Sequence, residues 1–164
     1  MIEVKPLPNG LRATDPAVIL ATWFGAGRLH PAPGTWGSIA ALPVAWVLMF
    51  FGGPVTLGVA ILIVFASGIW ATRKYRAADR KQDPAAVVID EVAGQWITLL
   101  AAGTSPAMYL IGLAAFRFFD IVKPWPVGWI DRNIKSAYGV MLDDVAAGAY
   151  GLIVVVNFRF FLNW

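Results

Sequence analysis

Charged and apolar positions along the chain fall into separate blocks. Ile39 to Phe51 is wholly uncharged, Gly52-Gly53-Pro54 interrupts, and Val55 to Thr72 is uncharged again. Two such runs about a tight break predict a transmembrane helical hairpin. Each run is a little shorter than the roughly 20 residues of a full span, which implies bilayer thinning or extension into the flanks. Upstream, Met1–Thr14 is polar and punctuated by Pro and Gly, and reads as a loose arm. Asp15-Pro16 has the form of an N-cap followed by Pro at the first helical position, opening a short helix that ends near Gly25 and Gly27. The segment Arg28–Ser38 is turn-rich, with Ser38 placed to cap the apolar helix after it. Downstream, Asp83-Pro84 repeats the start signal and opens a helix through Asp90 and Glu91 into apolar Val92–Ala102, stopped by Gly103. Ser105-Pro106 starts another helix, which closes with Arg117, Asp120 and Lys123 before Pro124. A short amphipathic piece, Val127–Ala137, precedes a last helix starting near Asp143-Asp144 and uncharged until Arg159. The pattern predicts an all-α, membrane-embedded helical bundle of spanning or re-entrant helical hairpins.

Composition sharpens this picture. A chain of 164 residues is sized for one domain, residues 1–164 together. It is 59% hydrophobic and 14% charged, against about 45–50% and about 25% for soluble domains, so disorder is excluded and an ordinary soluble surface is hard to build. Eight tryptophans suit interfacial lipid contacts. The formal charge of +3 fits an anionic membrane surface and not a nucleic-acid groove. The apolar run Ala17–Phe24 follows Asp15-Pro16 directly and reads as a short helix, not a secretory signal. With the N-terminus placed in the cytoplasm and sides alternated, twelve of the thirteen Lys and Arg residues fall inside and only Arg159 outside, a strong positive-inside bias. All ten acids fall on that same inner side.

The acids carry the chemistry. Asp90, Glu91, Asp120, Asp143 and Asp144 sit where apolar helices meet the polar face. One such acid is explained by a local ion pair, such as Arg117 with Asp120. Five on three helix ends point to a shared cation, and hard oxygen ligands without His or Cys select Mg²⁺ or Mn²⁺. Adjacent helical residues diverge by about 100°, so both members of a pair serve one ion only where the helix begins. Asp120 and Asp144 are therefore the favoured ligands, with Asp90 or Glu91 completing the set. The basic residues Arg117, Lys123, Arg132 and Lys135 need an anion of their own. Phosphate suits them, arginine gripping it bidentately and lysine as a point charge; for Arg132 and Lys135, attraction to lipid headgroups is an equal alternative. The loop Pro33–Ser38, with Gly34, Thr35 and Ser38, can aim N–H groups and hydroxyls at the same anion. His30 reads as a turn residue. A faint internal echo pairs Asp90 and Gly94 with Asp144 and Gly148; each glycine lies one turn behind its acid on the same face and permits close approach of a neighbour.

Several phosphatase chemistries are excluded. There is no cysteine for a thiol nucleophile, a single histidine where phosphohistidine enzymes need two, no D-x-D pair of the haloacid dehalogenase kind, and no D-G-x-x-A-R start of the CDP-alcohol phosphotransferases. Carboxylate-and-metal chemistry on a phosphate-bearing membrane ligand remains. The rival class is a non-enzymatic divalent-cation carrier or sensor. A carrier places acids near the bilayer midplane; here the apolar helix centres are free of acids, which favours interfacial chemistry on a headgroup.

Five blocks in order, APGTWGS (Ala32–Ser38), IDE (Ile89–Glu91) with GQWIT (Gly94–Thr98), RFFDIVKPWP (Arg117–Pro126), DRN (Asp131–Asn133) and DDVAAG (Asp143–Gly148), resemble the phosphatidylglycerophosphatase A family. The resemblance implies a Mg²⁺-dependent lipid phosphatase that converts phosphatidylglycerophosphate to phosphatidylglycerol and inorganic phosphate, the last step of phosphatidylglycerol synthesis. It also implies a multi-pass protein of the bacterial inner membrane with its site facing the cytoplasm. The expected metal ligands come from Asp90, Glu91, Asp120, Asp143 and Asp144. The expected catalytic set is Asp90, Glu91, Arg117, Asp120 and Lys123, and the expected substrate contacts are Gly34, Thr35, Ser38, Arg117, Lys123 and Arg132. His30 departs from the proline that the family pattern leads one to expect.

Overall fold

The structure, a computed structural model, describes residues 2–79 and 84–161. Six helices make up most of it: α1 (Pro16–Ala21), α2 (Pro33–Asp79), α3 (Ile89–Thr98), α4 (Pro106–Val122), α5 (Val127–Asn133) and α6 (Ala137–Phe161). Two short strands, β1 (Glu3–Val4) and β2 (Leu29–His30), pair antiparallel. The all-α expectation holds.

The hairpin lies within α2. Gly53, at φ +66° and ψ −166°, breaks an otherwise helical path, a backbone state open to glycine because it has no Cβ. Pro54 follows and starts the second arm, where its fixed φ suits a first helical turn. Gly37 on the first arm and Gly68 on the second lie at nearly matching distances from the break, and both abut the start of α3. A methyl on Gly37 would lie 2.7 Å from Val88 Cβ, and one on Gly68 would lie 3.4 Å from Ile89 Cγ1. The arms therefore run antiparallel. Phe50, Phe51, Val55, Val59, Leu62 and Ile63 are exposed along the hairpin, as on a helix pair facing lipid rather than water. By length and apolar composition α2 and α6 are long enough to cross a membrane. At about 1.5 Å per residue, the ten residues of α3 reach about half of a 30 Å hydrocarbon core.

α3 lies between α2 and α6, and α4 and α5 pack on α6. The α3–α6 crossing is a backbone contact. A methyl on Gly94 would lie 2.5 Å from Asp144 O, and one on Gly148 would strike Gly94 O. Thr98 Oγ1 donates to Gly94 O at 3.1 Å and to Gly148 O at 3.2 Å, stitching the crossing. Trp96 Nε1 donates to Ala41 O at 3.0 Å and ties α3 to α2.

Several sequence-based boundaries move. The N-terminal arm is tied down: β1 pairs with β2, and Arg28 Nε donates to Lys5 O at 2.9 Å, so extended polar backbone finds partners in the following loop. α1 begins as expected, with Asp15 Oδ1 accepting from Ala17 N, but ends at Ala21. α2 starts at Pro33, so Ser38 is not a cap; its hydroxyl donates to Gly34 O one turn back. The expected start at Asp83-Pro84 is displaced. Asp83, like Arg80 and Lys81, lies outside the described residues, and the helix begins only at Ile89. The cause is tertiary: Val88 N donates to Ala21 O at 2.8 Å, docking this segment on α1 instead of in a helix. α5 stops at Asn133, short of Ala137. α6 begins at Ala137, not at Asp143-Asp144, so these acids sit well inside it.

Candidate active site

The helix start at Ile89 places Asp90 and Glu91 in the first turn of α3, and Glu91 N donates to Asp90 Oδ1 at 3.1 Å. That is the one circumstance in which neighbouring acids converge, and they do. One carboxylate oxygen each from Asp90, Glu91 and Asp144 lies within 4.8 Å of the others. The α3–α6 glycine contact explains the meeting, because Asp90 and Asp144 each stand one turn before the glycine at the crossing. The echo seen in the sequence is thus a packing device. Asp90 and Asp144 are nearly fully buried, at 8% and 3% exposure.

The three carboxylates form the floor of a cavity of about 330 Å³. Its wall carries Arg117, whose Nη1 lies 2.6 Å from Asp120 Oδ2 and 3.9 Å from Glu91 Oε1. Asp120 also approaches Asp144. Lys123 caps α4 in the left-handed conformation, φ +49°. This turns its ammonium to Asp143 at 2.8 Å and Asp131 at 3.3 Å. Asp143 is therefore committed to Lys123, while Asp144, next in sequence, points to the floor cluster. Gly34 lies on the opposite wall, where a methyl would meet Glu91 Oε1 and come within 3.0 Å of Arg117 Nη1. Its contribution is the room it leaves.

Charge on the lining is lopsided. Six carboxylates (Asp90, Glu91, Asp120, Asp131, Asp143, Asp144) face three cations (Arg117, Lys123, Lys135). Burial, reinforced by the Glu91 charge, pushes Asp90 well above the usual carboxylate range. Burial also raises Glu91, against the hydrogen bond from Asp90 and the Arg117 charge. Burial works against the Lys123 ammonium, but the Asp143 hydrogen bond and charge outweigh it and leave its pKa raised. Glu91 Oε2 is buried without a hydrogen-bond partner, as is Arg117 Nε. Buried polar atoms are normally satisfied, so one orphan acceptor on the floor and one orphan donor on the wall mark places for a cation and an anion. Three clustered carboxylate oxygens with no nitrogen or sulfur fit a hard divalent ion.

The structure gathers Asp90, Glu91, Arg117, Asp120, Lys123, Asp143, Asp144 and Gly34 around one cavity. Thr35 and Ser38 lie outside its lining, and the Ser38 hydroxyl is buried on Gly34 O. Arg132 is exposed and also outside the lining. Asp131, which the sequence offers only as part of the DRN block and without a role, and Gly139 also line the cavity. Asp131 lies in α5 and Lys135 two residues beyond its end, and the four-residue spacing between them signals only a surface pair.

The phosphatidylglycerophosphatase A family model matches residues 19–159. The chain belongs to the phosphatidylglycerophosphatase A family. It is 34% identical to phosphatidylglycerophosphatase A of Haemophilus influenzae over 99% of both chains. It is 35% identical to phosphatidylglycerophosphatase A of Escherichia coli over 84% of this chain and 80% of that one. A Bacteroides thetaiotaomicron protein with a provisional phosphatidylinositol-3-phosphatase name is 39% identical over 89% of this chain and 95% of its own. No solved structure matches the chain significantly. As a member of this phosphatase family the chain is an enzyme, and two of its helices are long and apolar enough to cross a membrane.

Proposed function

We propose that the protein hydrolyses the terminal phosphate of phosphatidylglycerophosphate with Mg²⁺, at the cytoplasmic face of the bacterial inner membrane, in a multi-pass arrangement. The observation that carries this is the convergence of Asp90, Glu91 and Asp144 beneath Arg117 in one cavity. A phosphate monoester is dianionic, and a lining with twice as many carboxylates as cations repels it unless a cation intervenes. Asp90, Glu91 and Asp144 would hold that ion, which supplies charge neutralisation and polarisation of a phosphoryl oxygen.

The chain's own groups account for the rest. Arg117 presents its fork to the phosphoryl oxygens, and Asp120 at 2.6 Å fixes the guanidinium. Lys123 holds the wall through Asp143 and Asp131. Asp120, which lines the cavity beside Arg117, would take a proton from the attacking water. The water oxygen would bond to phosphorus as the bond to the glycerol oxygen breaks, and the departing alkoxide would take up the proton that Asp120 accepted, leaving phosphatidylglycerol and phosphate. Phosphate monoester hydrolysis is among the slowest uncatalysed reactions, so charge stabilisation is the main task of such a site. The acids face one cavity together with Arg117 and Lys123 and are not strung along a path through the helices, which supports headgroup chemistry over ion transport.

The test is phosphate release from phosphatidylglycerophosphate by purified protein in detergent, with phosphatidylinositol 3-phosphate and phosphatidic acid in parallel. Preference for the first lipid, abolished by EDTA and restored by Mg²⁺, is expected. Well-folded protein releasing phosphate from none of them in Mg²⁺ would favour the carrier. Equal release from all three would keep a phosphatase and remove the headgroup specificity.

A further inference from the structure

The three cations of the cavity are not equivalent. Arg117 faces Asp120 and Glu91, and Lys123 faces Asp143 and Asp131. Lys135 has no carboxylate within ion-pair distance among the described residues. Its ammonium donates to the main-chain oxygen of Asp131 at 2.6 Å, because the Asp131 carboxylate is turned to Lys123. A carbonyl satisfies one of three ammonium donors and leaves the charge uncompensated.

Depth separates them as well. Asp90 and Asp144 are buried on the floor, Arg117 and Lys123 are 17% and 32% exposed on the wall, and Lys135 is exposed at the lip. A second cation backs the lip. Arg76, at the end of the second α2 arm, donates from Nη2 to Lys135 O at 3.2 Å, and it too has no acid within ion-pair distance among the described residues. Arg73 stacks on Tyr138 at 4.8 Å and ties the same end of α2 to the start of α6. Among the described residues the cavity is therefore negative at its floor and carries, at its lip, cations with no carboxylate within ion-pair distance. Trp125 and Trp129, exposed on the adjoining segment, are of the type that settles at headgroup level.

We propose that Lys135, backed by Arg76, binds the phosphodiester that joins the headgroup to diacylglycerol, while the monoester phosphate reaches down to Arg117. The proposal rests on the lipid-phosphatase reading and adds the element that selects among lipids. Phosphatidylglycerophosphate and phosphatidylinositol 3-phosphate both carry a diester next to the acyl chains and a monoester beyond it. Phosphatidic acid carries a monoester alone. Substrate charges in the order diester, then monoester match lip, then floor. The cavity, about 330 Å³, is at the small end of those that enclose a whole ligand, so a headgroup anchored at the lip is held in register with the floor.

The test compares wild type with Lys135→Ala in detergent micelles. KM for phosphatidylglycerophosphate is expected to rise about tenfold, the loss of one charge-assisted contact, with kcat little changed. Inhibition by phosphatidylglycerol, which keeps the diester and lacks the monoester, should weaken by the same factor. Inhibition by inorganic phosphate should not move. Lys135→Arg should restore KM, and Arg76→Ala should shift it in the same direction by less. Unchanged KM and unchanged phosphatidylglycerol inhibition would overturn the proposal. Equal weakening of inorganic phosphate inhibition would also overturn it, by placing Lys135 at the monoester. Wild-type protein that hydrolyses neither two-phosphate lipid would overturn the underlying reading, and this one with it.

Discussion

Gly94 and Gly148 touch backbone to backbone where α3 crosses α6, and each stands one turn behind an aspartate of the floor cluster. The contact sets the distance between Asp90 and Asp144, so the geometry of the site depends on two missing side chains. Gly148→Ala should cost about 1–3 kcal/mol from overpacking against main chain, lower the melting temperature, and cut turnover by forcing the helices apart. Gly58→Ala is the control. Its added methyl meets nothing within 4 Å, and the change should be neutral or slightly stabilising in a helix. Melting curves and turnover of both variants decide. A Gly148→Ala protein as stable and as active as wild type would refute the coupling.

Metal dependence should reside in three residues. Asp90→Asn, Glu91→Gln and Asp144→Asn are each expected to abolish turnover and to remove the rise in melting temperature that Mg²⁺ is expected to give wild type, since a ligand that binds only the folded state stabilises it. Asp143→Asn, by contrast, loses the partner of Lys123 and should retain the Mg²⁺-dependent shift. Titrating Mg²⁺ against melting temperature separates the two classes.

The raised Asp90 and Glu91 fix the sign of the pH effect. In metal-free protein the folded state holds their protons to higher pH than the unfolded chain does. The contribution of this pair to stability is therefore greatest at low pH and falls as pH rises from the ordinary carboxylate range through the raised values. Mg²⁺ competes with those protons, so its apparent affinity should climb over the same interval. Melting temperature against pH, in EDTA and in Mg²⁺, should give curves that diverge upward in pH. Curves that stay parallel would count against ligation by this pair.

Gly34→Ala should act on chemistry more than on folding. The added methyl meets Glu91 Oε1 and Arg117 Nη1, the free ends of long side chains, which can shift at little cost to stability while leaving their working positions. Turnover should fall with little change in melting temperature. A large loss of stability would mean that this wall is packed more rigidly than the side chains suggest.

Sidedness is open to direct measurement, since the chain has no native cysteine. Single cysteines at 76 and 132 should react with an impermeant reagent only after cells are opened, whereas one at 53 should react from outside or stay shielded in the bilayer. External labelling at 76 would invert the arrangement.

The sequence revealed the hairpin, the start of α4 at Ser105-Pro106 and the acid–glycine echo, because each rests on a local rule: a chain break, a cap, a four-residue spacing. It misled where a distant contact decided. Pro84 resembles a helix start, but Val88 is held by Ala21 on α1, and that delay is what brings Asp90 and Glu91 together. Asp143 and Asp144 look like the mouth of a helix, because buried carboxylates are costly without a partner. Their partners, Lys123 and the floor cluster, come from other helices. Ser38 looked like a cap because Pro33, a proper first-turn residue, was read as part of a loop. The roles of Asp131 and Lys135 depend on which carboxylate Lys123 has already taken, which no spacing in the chain encodes.

Both arms of the α2 hairpin lean on Val88 and Ile89, the residues that launch α3, and this gives the molecule an order of assembly. Synthesis runs from the N-terminus and folding follows it. The hairpin leaves the ribosome first, the acids of α3 settle on it next, Arg117 comes with α4, and Asp144 arrives only with α6. Until that last helix slots its glycine against α3, the floor lacks one of its three carboxylates. On the proposed three-carboxylate floor, the site is complete only once almost the whole length of the chain is in place.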